Sequence, residues 1–175
     1  MANRKRLAAL VIAALCSTTG VIRAEEQPGR GGQQYQVRMT PREGMIVKMA
    51  ITGAIRRLGT ESCQRVFDDF TDPSGLALSA NLRATGKAAG GALAALYFAE
   101  GDGTSQCRSE ARVVAFTEPG SHVVHVCGAR FAKFGANIEV AEILLIHELL
   151  HSLGLAENPP TSGQITDTVR SRCSR

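Results

Sequence analysis

The sequence predicts an α+β fold in which a small sheet packs on one central helix. Residues 138–153 are apolar nearly all round, which is typical of a helix buried in a core. Three short runs, at 93–98, 111–117 and 122–127, have the composition and the flanking Gly or Pro residues of strands. We therefore expect an antiparallel or mixed sheet of about three strands, with additional N-terminal helices and a short C-terminal helix.

Residues 1–24 have the pattern of a secretory signal peptide. Arg4, Lys5 and Arg6 precede an uncharged run rich in Ala and Leu, and Ala24 offers a small residue for cleavage. The apolar run is shorter than the roughly 20 residues of a membrane span. We therefore expect export to the periplasm or the extracellular space, with no membrane association after cleavage.

The formal net charge of +4 belongs to this N-terminal segment. Four of the 20 Lys and Arg residues lie in residues 1–24, which contain no Asp or Glu, so residues 25–175 carry 16 charged residues of each sign. The basic composition of the whole chain is therefore no argument for a surface that binds nucleic acid, and no nucleic acid partner is expected.

The rest of the chain is expected to form a short lead-in and one domain. Residues 25–42 are rich in Gly and polar residues, which predicts a flexible segment. Residues 43–175 are long enough to bury a core of their own. The spacing of apolar residues predicts helices at 45–58 and 60–70, and a shorter helix at 76–84 is also expected.

The later elements are predicted from turn and capping signals. Glu118-Pro119-Gly120 separates two of the predicted strands, and so short a connection favours an antiparallel pair. Asn137 is a candidate N-cap for the helix at 138–153, and Glu142 lies near the positive end of that helix. Thr161 and Gln164 have the spacing of a capping box, which predicts a last helix reaching the final cysteine.

Four cysteines follow residue 24, and an even number in an exported chain favours two disulfides over a metal site. No Cys-x-x-Cys pair occurs among them. Three pairings are possible, of which we expect first with second and third with fourth, tying the C-terminus to the strand at 122–127. In chain order the four are Cys63, Cys107, Cys127 and Cys173.

The motif that indicates chemistry lies on the central helix. His147 and His151 are four residues apart, so both imidazoles face the same side of a helix and can bind one zinc ion. Glu148, beside the first histidine, can accept a proton from a water molecule that zinc activates. Gly154 favours the left-handed backbone that ends a helix, which places Glu157 after the turn as the expected third ligand.

Other residues compete for the third ligand position. No histidine follows His151, and the carboxylates after it are those of Glu157 and Asp167. Asp167, on the predicted last helix, is therefore the downstream alternative. His125, on a neighbouring strand, is the upstream alternative, although a partly buried, hydrogen-bonded histidine also explains its position.

The motif resembles those of known metallopeptidase families. His147-Glu148-x-x-His151-x-x-Gly154 resembles the extended motif of the metzincins, zinc metallopeptidases whose third ligand stands where this chain has Glu157. The segment also resembles small secreted bacterial HExxH peptidases with a tail like residues 157–160. The chain differs from metzincins in having Glu where they usually have His, and in having no methionine after Met49. The resemblance implies that residues 43–175 form a zincin-like domain holding Zn²⁺.

These observations predict an exported zinc-dependent hydrolase that acts on a peptide, a protein or a cell-wall peptide. The resemblance further implies that the strand at 122–127 offers its edge to an extended substrate. The alternative is a zinc-binding or disulfide-bonded scaffold protein that recognises a partner without turnover. Retention of zinc without cleavage of any peptide would favour this alternative.

Overall fold

The protein has the predicted α+β architecture in a computed structural model that describes residues 35–174. Within these residues, eight α-helices accompany one open, mixed sheet of four strands, close to the three that the sequence predicts. The predicted signal peptide at 1–24 lies outside the described residues. Between residues 35 and 174, no helix is both long and apolar enough to cross a membrane.

The helices predicted at 45–58, at 76–84, at 138–153 and from Thr161 to the last cysteine are all present. The predicted helix at 60–70 is shorter, because α2 passes into a 3₁₀ turn at Arg65–Phe67. A second 3₁₀ turn, Ala132–Ala136, follows α6. The α-helices are α1 Pro41–Leu58, α2 Glu61–Gln64, α3 Leu78–Ala84, α4 Ala89–Ala94, α5 Ser105–Ser109, α6 Gly128–Phe131, α7 Ile138–Ser152 and α8 Ser162–Cys173.

The sheet has the strand order β1-β2-β4-β3. β1 and β4 both pair with β2 in parallel, whereas β3 and β4 are antiparallel, as their short connection predicts. The expectation that the strand at 122–127 offers a free edge is wrong, because β4 has a neighbour on each side. The strands are β1 Gln36–Arg38, β2 Tyr97–Glu100, β3 Ala115–Phe116 and β4 Val123–Val126.

The sheet departs from the sequence prediction at two further places. β1 lies within residues predicted to be a flexible lead-in, where Val37 pairs in register with the fully buried Phe98. The predicted strand at 93–98 begins later, because its first two residues belong to α4. The Ala-rich sequence of residues 92–95 favours helix over strand.

The central helix α7 is buried, and it packs against α1, α8 and β3. Glu142, which the sequence places near the positive end of this helix, is buried and accepts a 2.6 Å hydrogen bond from Arg57 Nε of α1. Arg57 also donates to the Cys173 carbonyl at 2.8 Å, at the end of α8. One ion pair therefore connects α1, α7 and α8 beneath the surface.

The predicted disulfide pairing is wrong: the bonds join Cys63 to Cys173 and Cys107 to Cys127. α2 lies against α8, so the first and last cysteines meet although they are 110 residues apart. Cys107 lies on the short helix α5 and Cys127 directly follows β4, and the second disulfide joins these two elements. Two disulfides indicate an oxidising environment, extracellular or periplasmic.

Candidate metal centre

The three residues predicted as metal ligands converge at the C-terminal end of α7. The Nε2 atoms of His147 and His151 are 2.9 Å apart, and both side chains are buried. Glu157 Oε1 lies 3.3 Å from Nε2 of His151 and 3.7 Å from Nε2 of His147, with the carboxylate partly open to solvent. This group of three side chains could hold a metal ion.

The turn after α7 brings Glu157 back to the histidines. Gly154 has φ +105°, a left-handed conformation that glycine adopts without strain. Its N–H donates to the His151 carbonyl at 2.8 Å, and the Leu155 N–H donates to the Leu150 carbonyl at 3.1 Å. This pair of hydrogen bonds is a Schellman motif, which reverses the chain where the sequence predicts.

Side chains from α3 and from the loop before it hold this turn in place. The Asn81 amide donates to the Leu153 carbonyl at 2.9 Å and to Asp72 Oδ2 at 3.0 Å. The Ser74 hydroxyl, followed by Asn81, lowers the pKa of Asp72 to about 2 because both donate to the ionised carboxylate. Neither Asp72 nor Asn81 was predicted as part of the site, since nothing in the local sequence relates them to residue 153.

The second nitrogen of each histidine ring has a hydrogen-bond partner. His151 Nδ1 lies 2.8 Å from the Leu155 carbonyl, and His147 Nδ1 lies 2.9 Å from the Thr166 hydroxyl of α8. A carbonyl oxygen only accepts, so Nδ1 of His151 carries a proton, and in the neutral form of the ring Nε2 carries a lone pair. That lone pair faces the Glu157 carboxylate at 3.3 Å, an arrangement of two acceptors that a cation between them would stabilise.

A metal ion fits this group of side chains better than a proton on His147 does. Burial, and then the neighbouring His151, lower the pKa of His147 to about 3. This ring is therefore neutral near pH 7, and its nitrogen is free to bind a metal. A buried pair of imidazoles with a carboxylate is also the chemical set that a divalent transition metal prefers.

Glu148 lies beside the ligands with one oxygen unpaired. The side chain is 4% exposed, and among the described residues its Oε2 has no hydrogen-bond partner. Burial raises the pKa of Glu148 to about 8, the nearby Thr117 hydroxyl acts in the opposite direction, and the charge of Glu157 raises it further. The Thr117 hydroxyl is also buried, and Thr117 and Glu148 both line the cleft that contains the candidate metal ligands.

These groups lie in a cleft of about 520 Å³ between α7 and β3. Val114 and Phe116 form part of its wall, and Glu157 and Ser162 lie among its other lining residues. A larger groove of about 640 Å³ runs along α1, but the carboxylate in it, that of Glu142, is paired with Arg57. Convergent ligand atoms therefore favour the smaller cleft as the functional one.

The alternative third ligands lie elsewhere. His125 stacks on Phe116 across the β3–β4 pair, with ring centroids 4.9 Å apart, and is not part of the ligand group. Asp167 forms an exposed ion pair with Arg170 at 3.2 Å. The sequence prediction missed Thr117 and Thr166, because a single hydroxyl residue on a distant element gives no local signal.

Comparisons with protein-family models, with curated proteins and with solved structures give no match to this chain. The resemblance to zinc metallopeptidases is therefore limited to the motif at residues 147–157.

Proposed function

We propose that this protein is an exported zinc-dependent peptidase. The observation that carries the proposal is the convergence of two imidazole nitrogens and the Glu157 carboxylate in an open cleft, beside an unpaired buried glutamate. The two disulfides support export, since such bonds persist in oxidising compartments.

Zinc is the metal that the donor set favours. Two histidines and one carboxylate give three protein ligands and leave one coordination position open, which is the arrangement of catalytic zinc sites. When bound, Zn²⁺ would supply Lewis acidity that lowers the pKa of a water molecule and polarises a carbonyl group. His147, His151 and Glu157 would hold it.

Glu148 is the proposed general base. Its carboxylate accepts a proton as water attacks the carbonyl carbon of the peptide, and it returns that proton to the amine nitrogen as the C–N bond breaks. The raised pKa of Glu148 in the metal-free protein favours proton uptake, and a nearby cation would lower this pKa towards neutrality. Thr117 lies where its hydroxyl can orient this carboxylate.

The proposed substrate is an extended peptide lying along β3. This strand pairs with β4 on one side and ends the sheet, so its other edge is available for backbone hydrogen bonds. Residues 112–117 line the same cleft as the candidate metal ligands. Peptide, protein and cell-wall peptide substrates all present an extended backbone that could pair there.

The substitution Glu148→Gln tests this proposal. We expect the variant to keep its zinc and to lose peptide hydrolysis by a factor of about 10²–10⁴ or more, because the amide cannot accept the proton. Cleavage would be measured on fluorogenic peptide libraries and on cell-wall peptides, and zinc by elemental analysis. Glu139→Gln, an exposed position on the same helix, is the matched control and should retain activity.

The outcomes separate the peptidase from a scaffold protein. A native protein that binds one zinc ion and cleaves no peptide would contradict the enzymatic proposal and favour a zinc-binding scaffold. Equal hydrolysis by native protein and Glu148→Gln would contradict the role of Glu148.

A further inference from the structure

We propose that Thr166 of α8 is a positioning residue for the metal ligand His147. This inference rests on the proposed metal site but not on peptide hydrolysis. The Thr166 hydroxyl lies 2.9 Å from Nδ1 of His147, whereas Nε2 of the same ring points at His151 and Glu157. One side of the imidazole therefore faces the candidate metal position, and the other side is in contact with α8.

The hydrogen bond fixes the orientation of the ring and is compatible with a metal bound at Nε2. A neutral imidazole carries one proton, and an acceptor next to Nδ1 keeps the proton there and leaves the Nε2 lone pair free. For His151 the acceptor is the Leu155 carbonyl, a backbone group that every variant keeps. For His147 the partner is the Thr166 hydroxyl, which accepts from Nδ1–H when Nε2 is the nitrogen that binds the metal, so the orientation of the ring depends on the side chain of residue 166.

The position of Thr166 is set by contacts at both ends of α8. At the start, Thr161 and Gln164 form the capping box that the sequence predicts. At the end, the Cys63–Cys173 disulfide and a pair of 2.8 Å hydrogen bonds from Arg172 to Asp69 connect the helix to residues 63–69. The hydroxyl is thus held by a part of the molecule that does not contact the metal position.

Substitutions at residue 166 test the inference on the purified protein. Thr166→Val removes the hydroxyl while keeping the β-branched shape, and Thr166→Ser keeps the hydroxyl. Thr168→Val is the matched control, because Thr168 is partly exposed on the same helix and its hydroxyl donates to the Gln164 carbonyl. Thr166→Ala removes the hydroxyl without adding volume and replaces the valine variant if that protein does not fold.

Three readouts distinguish positioning from a general effect on folding. Competition with a chelator gives the Zn²⁺ affinity, the visible absorption of the Co²⁺-substituted protein reports ligand geometry, and urea unfolding in EDTA reports folding of the metal-free protein. We expect Thr166→Val to lose about 10–100-fold in Zn²⁺ affinity with an altered Co²⁺ spectrum. Thr166→Ser and Thr168→Val should match the native protein in Zn²⁺ affinity and in the Co²⁺ spectrum.

The outcomes also separate this inference from the proposed function. Native-like Zn²⁺ affinity and Co²⁺ spectrum in Thr166→Val would overturn the positioning role while leaving the peptidase proposal intact. A native protein that binds Zn²⁺ but cleaves nothing would leave the positioning role testable by the same readouts. A native protein that binds neither Zn²⁺ nor Co²⁺ would overturn both the positioning role of Thr166 and the peptidase proposal.

Discussion

Asp72 is a single residue that fixes where α7 ends. Its carboxylate accepts hydrogen bonds from Ser74 and Leu76 of its own turn and from the amide of Asn81. The same amide donates to the Leu153 carbonyl, the last residue before Gly154. The conformation that returns Glu157 to the histidines therefore depends on an ionised carboxylate outside the metal group.

We expect Asp72→Ala to reduce the free energy of unfolding at pH 7, with a difference from the native protein that shrinks as pH falls. The lowered pKa means that the ionised group stabilises the fold above its ordinary pKa of 3.8, and that this contribution is lost as pH falls towards about 2. Urea unfolding between pH 2 and pH 7 measures the difference.

Asp167→Ala is the control for this experiment, because it removes one exposed ion pair with Arg170. It should change stability by less than about 1 kcal/mol. An effect of Asp72→Ala that is as large at pH 2 as at pH 7 would show that the ionised carboxylate is not the stabilising group.

Residues of the candidate site could be predicted where the spacing along the chain alone places them together. His147 and His151 were predicted because helical spacing alone places them on one face, and Glu157 because glycine indicates the turn before it. Thr117 and Thr166 were not predicted. Their contacts depend on how β3 and α8 pack against α7, which no spacing along the chain reveals.

At the scale of elements, the contact between α1 and α7 depends on a glycine. A Cβ at Gly53 would overlap the carboxylate of Glu142. That carboxylate has little freedom to move, since Arg57 holds it in a buried ion pair. Helix α7 can therefore approach α1 closely only if residue 53 has no side chain.

We expect Gly53→Ala to lower the free energy of unfolding by about 3 kcal/mol, because the added methyl group displaces one partner of a buried ion pair. Chemical denaturation measures the change. Gly44→Ala in the same helix is the control, because its added methyl would meet Met39 and Val37 at 3.4 and 3.5 Å, near ordinary contact. It should be close to neutral, and an equal loss in both variants would contradict the close-packing explanation.

Helices and strands could be predicted where their sequence pattern extends over many residues. α7 and α8 were predicted within one or two residues, because α7 is a long run of apolar residues and α8 begins with a capping box and ends at the last cysteine. The strands are two to four residues long, too short for alternation to be diagnostic. β1 was missed because its pairing partner, β2, lies about 60 residues further along the chain.

At the scale of the molecule, the site is assembled from four separate parts of the fold. α7 supplies His147 and His151, the turn after it supplies Glu157, the segment after β3 supplies Thr117, and α8 supplies Thr166. The disulfide pairing was not predictable for the same reason, because it depends on which helices lie side by side. The α+β class was predictable, since it requires only the types of element and not their partners.

The measurement that tests the central claim most directly is X-ray absorption at the zinc edge of the purified protein, combined with its zinc content. The account predicts one Zn²⁺ per chain, coordinated by two imidazole nitrogens and at least one carboxylate oxygen at about 2.0–2.2 Å. Glu157→Ala should lose the carboxylate ligand, whereas Asp167→Ala should leave the spectrum unchanged. A protein that retains no zinc, or one whose zinc has no histidine ligands, would contradict the account.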